Sequence, residues 1–237
     1  MTASEGVTVT EHILKAFDEE IVELRGLISE MGGRAESAID RAIDALSRRD
    51  LDLAASVVAD DKRIDELEMA IERLAVQMMT LRAPMADDLR ETVAALKIAG
   101  VIERIGDYAK NIAKRVSQIS RSSRIEALSL LPAMAQLASD MLHDVLNAFA
   151  ARDWEAAIEV CDRDRAVDDF YNSIFRTLLT FMMENPATIG EAAHLLFIAK
   201  NLERIGDHAT NVAEMVYFAA RGEYMADRER GQPGEEL

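Results

Sequence analysis

Two stretches of this chain carry the same oxygen-bearing side chains at the same spacing: E-R-I-G-D-Y-A-K-N-I-A-K from Glu103 and E-R-I-G-D-H-A-T-N-V-A-E from Glu203. Eight of the twelve positions are identical. At roughly 100° per residue, Glu103, Asp107 and Asn111 fall on one stripe of a helix at successive turns, as do Glu203, Asp207 and Asn211. A helix core calls for apolar residues at that spacing, not for the same Glu, Asp and Asn twice. Carboxylates and a carboxamide so arranged are oxygen donors, which suit hard cations such as Mg²⁺, Mn²⁺, Ca²⁺ or iron.

A second acidic pair recurs upstream, Asp61-Lys-Arg-Ile-Asp65 answering to Asp164-Arg-Ala-Val-Asp168. In an antiparallel hairpin, the numbers of level residues average to the turn position. Asp61 with Asp107, and Asp65 with Glu103, both centre on Pro84. Asp164 with Asp207, and Asp168 with Glu203, centre between Asn185 and Pro186. Four carboxylates are therefore expected to converge in each half, with Asn111 or Asn211 a turn further along. Like charges so close repel unless a cation or a proton intervenes.

The elements that must position these groups are helices. Apolar residues recur at helical spacing from Ile13 through Phe17, Leu24, Ile28 and Met31, predicting a first helix to about Ser47 with a candidate kink at Gly32-Gly33. Asp50 caps a second helix, Leu51 to about Leu81, and Pro84 opens a third that ends near Ile119. Residues 117–129 read as a connection. The plan then repeats as Leu131–Ala151, Trp154–Met183 and Thr188–Ala220, with Asp153 as cap and Pro186 as turn. The expected architecture is all-α: two tandem three-helix bundles related by internal duplication, over residues 8–120 and 126–221, with a disordered tail over 222–237.

Composition agrees. Glycine (11) and proline (4) are scarce in 237 residues and aromatics make up 5%, which favours helix over sheet. The formal net charge of -16 disfavours nucleic acid and anionic lipid heads as partners, and welcomes cations or a basic surface. Cys161 is the one cysteine, so no intrachain disulfide is available. The first ten residues do not form a signal peptide, and no apolar run reaches transmembrane length. A soluble intracellular protein is expected.

Other chemistry is poorly served. The chain has no G-x-x-x-x-G-K-[ST] and no G-x-G-x-x-G phosphate loop. Neither site carries the Glu-x-x-His of di-iron carboxylate bundles. Histidine is not repeated: Tyr108 stands where His208 does, and His12, His143 and His194 match nothing. His208 reads as a neutral surface histidine rather than a ligand. Gly106 and Gly206, mid-helix where glycine costs about 1 kcal/mol, imply a close neighbour. The competing reading is a duplicated surface whose acids pair with Arg63, Arg104, Lys110 and Lys114 in the first half and with Arg163, Arg165 and Arg204 in the second. Lys110 lies off the shared motif, and its replacement is expected to be silent.

The duplicated unit with E-R-I-G-D-x-x-x-N near the end of each half resembles the PhoU family of phosphate-uptake regulators. The resemblance covers nearly the whole chain, including M-G-G from Met31 and M-M-E-N from Met182. It implies two tandem three-helix bundles, usually dimeric, and metal clusters (Mg, Mn, Fe or Zn). The ligands implied are Asp61, Asp65, Glu103 and Asp107, then Asp164, Asp168, Glu203 and Asp207, with Asn111 and Asn211 in the same motif. It further implies a cytoplasmic adaptor, not an enzyme, that restrains the phosphate ABC importer and silences starvation signalling. The implied partners are the importer's ATPase subunit and the sensor histidine kinase, met at the inner face of the membrane without insertion. The alternative is a carboxylate-cluster, metal-dependent phosphoester hydrolase.

Overall fold

The structure, a computed structural model, describes residues 4–119 and 125–225; the rest of the expected tail, residues 226–237, lies outside the described residues. Seven α-helices follow in order among them: α1 (Ser4–Arg48), α2 (Leu51–Arg82), α3 (Asp87–Arg115), α4 (Leu131–Ala151), α5 (Trp154–Asp162), α6 (Asp164–Glu184) and α7 (Ile189–Arg221). Short 3₁₀ turns at Val116–Gln118, Glu126–Ser129 and Pro186–Thr188 join or end them. Helices α1 to α3 form one bundle and α4 to α7 the other.

The apolar stripes dictate this packing. Phe17, Ile21, Leu24, Ile28, Met31, Ala35, Ile39, Ala42 and Leu46 recur three or four apart along α1, and all are buried. The helix runs unbroken through Gly32-Gly33. Gly32 serves packing: a Cβ there would collide with Leu146 of α4. Helix α2 starts where Asp50 Oδ1 accepts from the Asp52 and Leu53 amides (3.1 and 2.9 Å), and α5 where Asp153 accepts from Ala156 (3.0 Å). Pro84 sits in the turn between α2 and α3, three residues before α3 begins, as expected.

One expected helix is two. Residues 154–183 break at Arg163, whose amide reaches Val160 O (3.1 Å) and whose carbonyl takes the Ala166 amide (3.0 Å), both tight i→i+3 bonds. The Arg163 guanidinium donates to Asp144 Oδ2 of α4 (2.6 Å). The equivalent contact in the first half has its charges exchanged: Arg41 of α1 donates to Asp60 Oδ2 of α2 (2.6 Å).

The halves meet along α3 and α7, which run antiparallel, and along α1 and α4. Tyr108 and His208 lie edge to face at the crossing, 5.2 Å between centroids. Toward one end, Arg115 lies 4.5 Å over the Phe197 ring and contacts His194 Nδ1 (3.2 Å). Across the seam, the buried Glu91 of α3 accepts from Arg25 (2.6 Å) and pairs with Arg152 of the α4–α5 turn.

Candidate functional site

In the first half the carboxylates gather on the α2–α3 hairpin. Asp61 lies on the buried stripe of α2, between Val57 and Ile64, and is only 6% exposed. The helices approach closely there because position 106 is glycine: a Cβ on Gly106 would stand 2.9 Å from Ile64 Cδ1 and 3.5 Å from Asp61 Oδ1. The Lys110 ammonium bridges the two helices, donating to Asp61 Oδ2 (2.5 Å) and Asp107 Oδ1 (3.1 Å). Those two acids hold the lysine's pKa well above its ordinary range. Asp65 is pushed up by burial and by the negative charge of Asp61. Glu103 is pushed up by burial, then by Asp107, Glu68, Asp65 and Asp61. The four expected carboxylates therefore share one electrostatic neighbourhood, and Glu68 belongs to it.

In the second half Asp168 of α6 faces Glu203 and Asp207 of α7. Asp168 is raised by burial, then by Glu203 and Asp207, with Lys200 opposing. Lys200 donates to Glu203 Oε1 (2.5 Å) and lies 5.1 Å over the Tyr171 ring. The other oxygen, Glu203 Oε2, is buried without a hydrogen-bond partner. Asp164 opens α6 in its first turn, where a carboxylate suits the helix N-terminus. Gly206 again admits its neighbour, a Cβ there standing 3.2 Å from Val167 Cγ1.

Asn211 lies one turn beyond Asp207 on α7. It lines an open groove of about 530 Å³ in the seam, with Glu68, Gly100, Glu103, Arg104 and Glu214, and so faces the first half's acids. Asn111 is half-buried on α3. His208, expected at the surface, packs against Tyr108 in the seam, where burial lowers its pKa. Among the described residues no three His, Cys, Asp or Glu side chains stand close enough, as placed, to hold an ion.

Comparison with known proteins settles the lineage. The PhoU domain matches twice, over residues 28–116 and 131–216, each spanning one hairpin and the helix before it. The chain belongs to the PhoU family. It is 52% identical over 221 residues to the phosphate-specific transport system accessory protein PhoU homolog of Zymomonas mobilis, covering 93% of each chain. It is 34% identical to the Escherichia coli K12 accessory protein PhoU, over 92% of this chain and 91% of that one. The crystal structure of PhoU from Pseudomonas aeruginosa superposes with a TM-score of 0.83 at 33% identity, covering 87% of this chain and 100% of the other. These relatives are named for transport accessory roles, not as enzymes.

The donor types here, though not their placement, suit the metal clusters implied for a PhoU-family chain. The set is all oxygen, as hard cations prefer. An ammonium stands among the first half's carboxylates as a cation does, and an orphaned carboxylate oxygen waits in the second. Of two neighbours of these acids, Lys110 was read only as a pairing base and Glu68 was not singled out. Lys110 was assigned off the motif, yet its Asp107-x-x-Lys110 spacing placed it on the same helix face. Glu68 differs from its equivalent, Tyr171, so the repeat hid it, although hairpin numbering sets it level with Gly100, whose added Cβ would lie 3.5 Å from Glu68 Oε1.

Proposed function

We propose that this chain is a negative regulator of phosphate uptake and of phosphate-starvation signalling, a metal-binding adaptor between the phosphate importer's ATPase subunit and the sensor histidine kinase. Membership of the PhoU family across both repeats carries this reading. It makes the chain an accessory protein of phosphate transport and sets the hydrolase alternative aside. No described helix is long and apolar enough to cross a membrane, which agrees with an adaptor that reaches the membrane through its partners from the cytoplasm. A homodimer and an acidic surface that avoids nucleic acid belong to the same reading.

The role of the residues follows from their charge. Asp61, Asp65, Glu103 and Asp107 would hold a cation in one half, and Asp164, Asp168, Glu203 and Asp207 in the other. A bound cation supplies the positive charge that lets these acids stay ionised together. The acids hold their two helices in register, Gly106 and Gly206 keep those helices close, and the hairpin surface that results is what a partner meets. Asn111 and Asn211 lie at the margin of these sets.

A starvation-promoter reporter in abundant phosphate tests the function, comparing a deletion strain complemented with wild type or with Glu103→Ala/Asp107→Ala. The deletion should express the reporter, wild type should silence it, and the double variant should silence it only partly. A reporter silent in the deletion strain would exclude the regulatory role.

A further inference from the structure

The seam holds a second cleft, away from both carboxylate sets, where the α4–α5 turn meets the start of α3 and the end of α7. We propose that this cleft binds a nucleoside phosphate, with the base against Trp154 and the phosphates at Arg152 and Arg221. Neither carboxylate set nor any metal takes part.

The shape suits one flat ring system. Phe149, Val216, Ala219 and Ala220 give the cleft an apolar lining, and Trp154, the one tryptophan of the chain, forms a wall. The space is about 240 Å³. Sites for whole drug-sized ligands start at roughly 300 Å³, so a base fits inside and charged substituents stay at the mouth. Trp154 is held in place for such a contact. Tyr217 meets its ring edge-on at 5.8 Å between centroids, and the Arg221 guanidinium lies 5.0 Å over it.

The charges leave cations facing outward. Of the acids that line the cleft, Asp87 pairs with Arg90, and the buried Glu91 pairs with Arg25 at 2.5 Å. Arg152 also reaches Glu91, so its positive charge exceeds what those two acids balance. Arg152 and Arg221 are both about half exposed, the latter with Glu223 at 3.9 Å. On a chain of net charge -16, two such guanidiniums beside a tryptophan make a seat for an anion that carries a ring. Asp87, whose carboxylate is mostly exposed, offers an acceptor to a base's amino group. Arg152 itself sits in left-handed backbone (φ 56°, ψ 31°), where glycine is the easier residue, so its side chain is what the position gains.

The other half shows how much of this the seam alone requires. Arg49 follows α1 in the same backbone conformation (φ 57°) and feels the charge of Glu191, as Arg152 meets Glu91. Around that pair, Leu51 stands for Trp154, Leu46 for Phe149 and Ile119 for Ala219. An arginine and a glutamate can therefore face each other between the halves among aliphatic neighbours. Two aromatic rings and an alanine in place of isoleucine are additions of the second half, and together they supply a stacking face and the room beside it.

Tryptophan fluorescence of the full chain, excited where the base does not absorb, tests this. ADP should quench Trp154 to saturation. Adenosine and pyrophosphate should each bind about tenfold more weakly or worse, since each makes only part of the contacts. Ala219→Leu fills the cleft and leaves the arginines in place; it should abolish the quench while circular dichroism stays helical. Arg152→Gln should weaken ADP about tenfold, the scale of one hydrogen bond to a charged group. No quench and no calorimetric heat with ADP in wild type would overturn the proposal, as would a quench unchanged in both variants. Pyrophosphate competing as well as ADP would show an anion site without base recognition and would overturn it too. The starvation-promoter reporter in the deletion strain is independent of all these outcomes, so the regulatory role stands or falls separately.

Discussion

The α2–α3 and α6–α7 hairpins carry the same four acids and the same mid-helix glycine, yet they neutralise their charge differently. In the first, one lysine ties the helices together through a buried aspartate. In the second, a more exposed lysine satisfies half of one glutamate and lies over a tyrosine. Position 110 against 210 and position 100 against 200 make the difference, and both lie beside identical residues. What the duplication preserves is the acids; what it lets diverge decides how each set of acids is balanced in charge.

The largest expected effect breaks that comparison directly. In metal-free buffer, Lys110→Met leaves Asp61 buried beside other acids with no ammonium, and should cost about 3 kcal/mol, the lower end for breaking a shielded ion pair. Lys200→Met removes a more exposed contact and should cost under about 1 kcal/mol. Urea unfolding of both variants measures the gap, and equal losses would make the two lysines equivalent.

The pH dependence sharpens the same contrast. Asp65, Glu103 and Asp168 have pKa values raised above the ordinary 3.8, 4.5 and 3.8 by burial first and then by neighbouring acids. Groups raised on folding contribute stability in full below those ordinary values and lose it as pH climbs through the raised ones. Asp65→Asn/Glu103→Gln/Asp168→Asn fixes the neutral forms. In chelator its melting temperature should gain on wild type as pH rises from 4 to 7 (about neutral). A constant difference across that range would show that the acids do not repel. Lys110 acts at the other end: its stabilisation is present below the ordinary lysine value of 10.5 and is lost only at higher pH.

The smallest expected effect lies at the caps that start α2 and α5. Asp50 accepts two amide bonds and Asp153 one. Replacement by alanine should cost about 1 kcal/mol at Asp50 and less at Asp153. Thermal unfolding that ranks them the other way would mean the second hairpin depends more on its cap, as its broken helix could require.

Most of the fold was legible because the apolar stripes are long and occur twice. Phe17 to Leu46 and Ile98 to Val116 each set one buried face, and Asp50 and Asp153 announce helix starts. The break at Arg163 was hidden because Val160, Val167 and Ile174 lie seven residues apart on either side of it, so the stripe runs through the turn undisturbed. At the site, the shared acids were legible, and numbering anticipated that Asp65 lies near Glu103 and Asp168 near Glu203. That Asn211 also lines the seam was not legible, because a one-dimensional stripe does not show that α7 faces the other half. Lys110 was read as a pairing base whose replacement would be silent, because looking for identity between repeats discounts the positions where they differ.

The exchanged bridges, Arg41 to Asp60 in one half and Arg163 to Asp144 in the other, bear on how a duplicated chain finds its own partners. Two nearly equivalent hairpins on one chain invite helices to dock with the wrong copy. If α1 settled against the second hairpin, Arg41 would meet Arg163; if α4 settled against the first, Asp144 would meet Asp60. Each correct docking joins opposite charges, and each exchange sets like against like. A pair of modest surface contacts thus labels each half as itself, and the mislabelled fold is the one penalised.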